Sequence, residues 1–135
     1  LASWQRLLLG IVLLGSAGTL VELLLLEHTE DFYQLIPVIL LGATVLASGL
    51  ALWLPRRAVI NGFRVVMLAS LISAALGIFF HYQGNTEFAL ERNPKLHGWD
   101  LFSEAMMGAT PSLAPGTMAQ LALIGLLTTV RFRSA

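Results

Sequence analysis

Seven side chains in this sequence could gather into an outward-facing metal or proton site: Glu22, Glu27, His28, His81, Glu87, Glu91 and His97. Imidazole and carboxylate donors without thiolate suit zinc, copper(II), iron or manganese. The chain has no cysteine, which removes disulfides, thiolate metal sites and cysteine nucleophiles. Within the seven, Glu22, Glu27, His28 and His81 form the narrower metal-ligand set, facing outward. His28 and His81, at the outer ends of two helices, also raise a single haem b held by paired imidazoles. The spacing of these residues is not diagnostic. No H-E-x-x-H pair occurs, and the neighbours Glu27 and His28 face different directions on a helix. Glycine-rich phosphate loops and G-x-S-x-G elbows are also missing from the sequence. The simpler reading gives Glu22 a hydrogen bond to His81 or Gln120 and leaves the other acids solvated. No catalytic residue is expected on this reading, and the chain is not read as an enzyme.

The elements that must carry these residues are four apolar runs, near 7–26, 35–54, 62–82 and 115–130. The first two are each about 20 residues, enough to cross ~30 Å of hydrocarbon at ~1.5 Å per residue. With 56% hydrophobic and 12% charged residues, the composition lies outside the usual soluble range. The expected architecture is all-α: an integral membrane four-helix bundle filling residues 1–135 as a single transmembrane domain, with an outer cap over 83–114. Gly15-Ser16-Ala17-Gly18 has the small residues of a signal-peptide cleavage region, but the apolar run continues through 20–26. The first run is therefore read as a retained span.

Charge sets the expected orientation. Arg6, Arg56, Arg57, Arg64, Arg131 and Arg133 fall on one side of the four runs, and Arg92 and Lys95 on the other. Six of eight basic residues on one side is the positive-inside pattern, which places both termini inside. The corresponding location is multi-pass in a bacterial cytoplasmic membrane, with the outer links facing the periplasm or exterior. A net charge of zero argues against nucleic acid as a partner.

The outer links differ in length. Residues 27–34 suit a tight helical hairpin, with Thr29 as the expected N-cap of the second helix. Phe32 and Tyr33 fit an interfacial aromatic belt, as Trp4 and Trp53 do on the inner side. The link over 81–116 is far longer. Within it, Trp99, Phe102 and Met106 recur at i, i+3 and i+7, which predicts a short amphipathic helix over 99–107 lying at the interface.

Helices in lipid associate through small residues. Three stripes offer them: Gly15, Gly18 and Thr19; Ala43, Ala47 and Ala51; Ala69, Ser73 and Gly77. Continued outward, the first stripe reaches Glu22 and the third His81. Glu22 is thus expected to face other helices and to need a polar partner, because a carboxylate at that depth is costly.

The functional expectation is a non-catalytic accessory or scaffold subunit of a larger membrane complex, with a respiratory or photosynthetic assembly as one kind of host. Its partners would be the lipid bilayer and other membrane subunits, and it would need no cofactor. One rival is a stand-alone protein binding a divalent metal or one haem b at the outer face. A second is a proton or cation pathway in a homo-oligomer.

The charge asymmetry is directly testable. Cysteines introduced at Asn61 and Asn93 are the only thiols in their chains, and they should react with an impermeant maleimide from opposite sides of the membrane, Asn93→Cys from outside. Reaction of both from the same side would rule out the four-run orientation.

Overall fold

The computed structural model describes residues 1–130. Five helices are found among them: α1 (Ser3–Leu25), α2 (Phe32–Trp53), α3 (Arg57–Arg92), α4 (Gly98–Met106) and α5 (Gly116–Thr128). The described residues contain no strand. Runs of leucine and alanine favour helix, and hydrocarbon leaves the backbone few other ways to satisfy its own polar groups. Helices α1, α2 and α3 are long and apolar enough to cross a membrane. The fourth run behaves differently. Its helix has 13 residues, which reach about 20 Å, short of the ~30 Å hydrocarbon core. Arg131 and Arg133, used in the orientation reading, lie outside the described residues.

The third helix is longer than its apolar run. It continues past residue 82, the expected end of the third run, to Arg92. Local bonds support this extension: Thr86 Oγ1 donates to the Tyr82 carbonyl at 2.8 Å, and Gln83 Nε2 donates to Glu87 at 3.0 Å. Pro94 follows the end of the helix, disfavours the helical conformation in the residue before it and lacks an N–H.

The chain divides into two compact units, residues 1–73 with 118 onward, and residues 74–117. The first contains α1, α2, the first half of α3 and nearly all of α5. Its core is Leu9, Val12, Ala51, Ile60, Phe63, Met67 and Ala122, so every one of those elements contributes.

The buried stripes of this unit run through larger residues than the small-residue pattern suggests. On α1 the buried positions are Gln5, Leu9, Val12 and Ser16; on α2 they are Leu41, Thr44, Ser48 and Ala51. On α3, Ile60, Phe63, Met67 and Ser70 are buried, while Ala69 and Ser73 are half-buried. At ~100° per residue, Gly15, Gly18 and Glu22 point about a third of a turn away from the Leu9–Ser16 stripe. Gly18 and Glu22 are accordingly exposed. This corrects the expectation that Glu22 faces other helices. Ala43 and Ala47 are half-buried, and Ala47 packs against the core.

The short α5 is fixed along its length. Leu121 covers Gly15, where an added Cβ would come within 2.7 Å of Leu121 Cδ2. Gly125 lies against Met67 and Phe63. At the other end, Gln5 Nε2 donates to the Thr128 carbonyl and Arg64 Nη2 to the Thr129 carbonyl, both at 2.8 Å. A guanidinium at the C-terminal end of a helix satisfies a carbonyl and complements the helix dipole.

The α1–α2 hairpin closes through a six-residue helix stop. The His28 amide donates to the Leu23 carbonyl at 2.9 Å and the Glu27 amide to the Leu24 carbonyl at 3.2 Å. Between them Glu27 takes φ +52°, the left-handed conformation this motif requires. Asp31, rather than the expected Thr29, caps α2, accepting from the Gln34 amide at 2.8 Å. Because glycine adopts the left-handed region without steric cost, Glu27→Gly should stabilise the chain by about 1 kcal/mol and Glu27→Val should destabilise it by at least as much. Reversible unfolding in detergent measures both.

Candidate functional site

The second unit, residues 74–117, is organised by one side chain. Asn85 lies on the extension of α3, where an asparagine is a weak helix former, and it is buried. Its Nδ2 faces three acceptors: the Ala105 carbonyl at 2.9 Å, the Thr110 carbonyl at 2.6 Å and Ser112 Oγ at 3.1 Å. Its Oδ1 accepts from the Thr110 amide at 3.3 Å. The carboxamide therefore engages both the N–H and the C=O of Thr110, and this fixes which end is oxygen and which is nitrogen. Ser112 Oγ donates to the same Ala105 carbonyl at 3.0 Å. The chain after α4 is thus held to α3 by a saturated polar cluster rather than by apolar packing alone.

Two glycines let the backbone come this close. A Cβ on Gly108 would overlap the Asn85 carboxamide, and one on Gly77 would come within 3.0 Å of the Pro115 ring. His81 adds a second tie. Its Nδ1 donates to the Pro111 carbonyl at 3.1 Å, so the proton sits on Nδ1 because a carbonyl can only accept.

Beside this cluster lies a cavity of about 150 Å³ lined by Asn85, Phe88, Arg92, Glu104, Met107 and Gly108 among others. Arg92 from α3 and Glu104 from α4 form an ion pair at its edge. Both side chains are substantially solvent-exposed, so the pair contributes at most about 1 kcal/mol and can be exchanged for other partners. Phe88 and Met107, which line the cavity, are 55% and 78% exposed. On α4, Trp99 and Phe102 stack with ring centroids 5.2 Å apart, and Phe102 meets Tyr82 of α3 at 6.0 Å. Ala105 is the buried residue of α4, while Trp99 and Phe102 of the predicted apolar face remain exposed.

The residues singled out for metal chemistry are distributed otherwise. Glu22, Glu27 and His28 belong to the first unit and His81 to the second. Among the described residues, no three histidine, aspartate or glutamate side chains are grouped so as to hold a metal ion. Glu27 shapes the helix stop, His28 closes it through its backbone amide, and His81 ties down Pro111. The Glu22 carboxylate makes no hydrogen bond or ion pair among the described residues, so the polar partner expected for it is missing there. Glu87 pairs with Gln83 along α3, and the ring of His97 binds the Lys95 carbonyl at 2.9 Å. Asn85, Gly108, Ser112 and the Arg92–Glu104 pair, by contrast, are brought together in the second unit. A polar asparagine inside an otherwise regular helical stretch was the one sequence signal for them.

No family model, no curated protein and no solved structure matches the chain.

Removing the carboxamide leaves the Thr110 N–H and C=O without partners. Asn85→Leu should therefore cost about 2–3 kcal/mol, and Gly108→Ala a similar amount through overlap. Hydrogen exchange of the intact protein in detergent is the measurement. Amides of residues 105–112 should lose protection while those of α1 and α2 keep theirs.

Proposed function

We propose that this chain is a non-catalytic accessory or scaffold subunit of a larger membrane complex, anchored by its long apolar helices and docked to a partner subunit through the outer unit. One observation carries the reading. The buried polar groups of that unit are matched to one another around Asn85, while Phe88 and Met107 stay exposed beside a formed cavity. A saturated polar cluster gives a rigid platform, and a rigid platform loses little conformational entropy when a partner binds. Exposed apolar side chains next to an exchangeable ion pair give that partner both an apolar contact and a polar one.

In this reading the chain lies in the membrane as four spans, with α5 completing the bundle and drawing its remaining length from flanking residues. On the charge pattern both termini would lie inside and the links over 27–34 and 81–116 on the opposite side, periplasmic in a bacterium. A respiratory or photosynthetic assembly is one kind of host that uses small apolar subunits of this size.

The test is purification from the native membrane in mild detergent, with particle mass, metal content and absorption spectrum recorded. The expected result is a heteromeric particle that loses this chain in the Phe88→Ser/Met107→Ser variant, while hydrogen exchange shows the Asn85 cluster intact. Stoichiometric metal or a Soret band would replace this reading with the cofactor-binding one. A particle built of this chain alone would remove the subunit role.

A further inference from the structure

A neutral polar side chain on the apolar helix α5 has no hydrogen-bond partner among the described residues of its own chain. Gln120, on α5, is exposed, and its carboxamide makes no hydrogen bond among the described residues. Its depth follows from the contacts of α5. In α1, Arg6 and Glu22 bracket an uncharged stretch, residues 7–21, and Gly15 lies close to its centre. Leu121 covers Gly15, while Gln5, next to Arg6, holds the Thr128 carbonyl. Gln120 is one residue from Leu121, so it stands near the middle of the apolar zone. Its neighbours on the same face are Leu123 and Leu127, 55% and 54% exposed, at i+3 and i+7. An amide facing hydrocarbon without a partner is strongly disfavoured, and polar side chains in membrane helices hydrogen-bond across helix pairs instead.

We infer that the Gln120–Leu123–Leu127 face of α5 is a homodimer interface within the membrane, its occupant a second copy of this chain. The chemistry of the carboxamide selects that occupant. It carries a donor and an acceptor together, so two copies related by a twofold axis satisfy each other with two reciprocal N–H···O bonds. Copies inserted in one orientation meet at equal depth, which brings Gln120 to Gln120 with no further adjustment. The exposed Glu22 lacks this property, since the same operation would oppose two carboxylates. Leu123 and Leu127 supply the apolar packing on the inner side of the paired amides. The inference stands independently of the proposed subunit role, because a dimer forms equally well alone or inside a larger particle.

The experiment uses the purified full-length chain in detergent micelles across a range of protein-to-detergent ratios. Because the chain has no cysteine, Leu127→Cys introduces a single thiol. Leu46→Cys, on the 70% exposed face of α2, is the control. Oxidation should give disulfide-linked dimers of Leu127→Cys and few of Leu46→Cys. By sedimentation equilibrium, Gln120→Leu should weaken the dimer about tenfold, and Gln120→Asn should retain part of the affinity. Circular dichroism confirms that each variant keeps its helix content. A wild-type protein that stays monomeric at every ratio would overturn the inference. So would equal cross-linking at Leu46→Cys, or a Gln120→Leu variant that dimerises as tightly as the wild type.

Discussion

A peptide group surrounded by hydrocarbon has no water to bond, so every place where this chain leaves the helix must bring its own partners. That constraint accounts for several of the polar groups with identified roles. The end of α1 closes its carbonyls with the Glu27 and His28 amides, at the expense of a left-handed glutamate. The carbonyls at the end of α5 are met by Gln5 and Arg64, reached from two other helices. The turn after α4 is held by Asn85 and Ser112. Gln5 and Asn85, each 6% exposed, are buried for this reason. Both meet a carbonyl at the end of another helix, Thr128 for Gln5 and Ala105 for Asn85.

The same constraint explains what could be read from the sequence. Long apolar runs have one solution in lipid, so α1, α2 and the first half of α3 were legible from length and composition. The amphipathic spacing of Trp99 and Phe102 likewise located α4. The phase of the helices was less legible. A stripe of glycine and alanine looks like a packing seam, yet leucine, valine and serine fill the seam of α1, because an interior seam needs volume as well as close approach. The candidate site was legible least. Asn85, Gly108 and Ser112 are brought together across more than twenty residues by loop geometry, and no periodicity encodes that.

Serine and threonine in the long helices show how small polar residues are accommodated. Thr19 and Thr44 return their hydroxyls to the carbonyls of Gly15 and Leu40, four residues earlier. Ser16, Ser48 and Ser70, one on each long helix, are buried without a hydrogen-bond partner. Each is nearly alanine-sized, so it permits close helix approach, and rotation of its hydroxyl toward its own i−4 carbonyl would give the bond the threonines make. Their common place on the buried stripes fits a role in packing.

Depth separates Glu22 from Gln120, two exposed polar side chains on membrane-facing stretches of helix. Glu22 lies three residues before the end of α1, about 4–5 Å along the axis, and its side chain is long enough to bring the carboxylate to the headgroup region. Water and lipid headgroups can solvate it there, and its lack of a protein partner needs no special cause. Gln120 is placed beside Leu121, which lies against Gly15 near the centre of the uncharged stretch of α1. The exposed acid is therefore solvated in an isolated chain, while the exposed amide is the group that the inferred dimer would supply with a partner. The asymmetry arises from position along the membrane normal, since the carboxylate is the costlier group to desolvate.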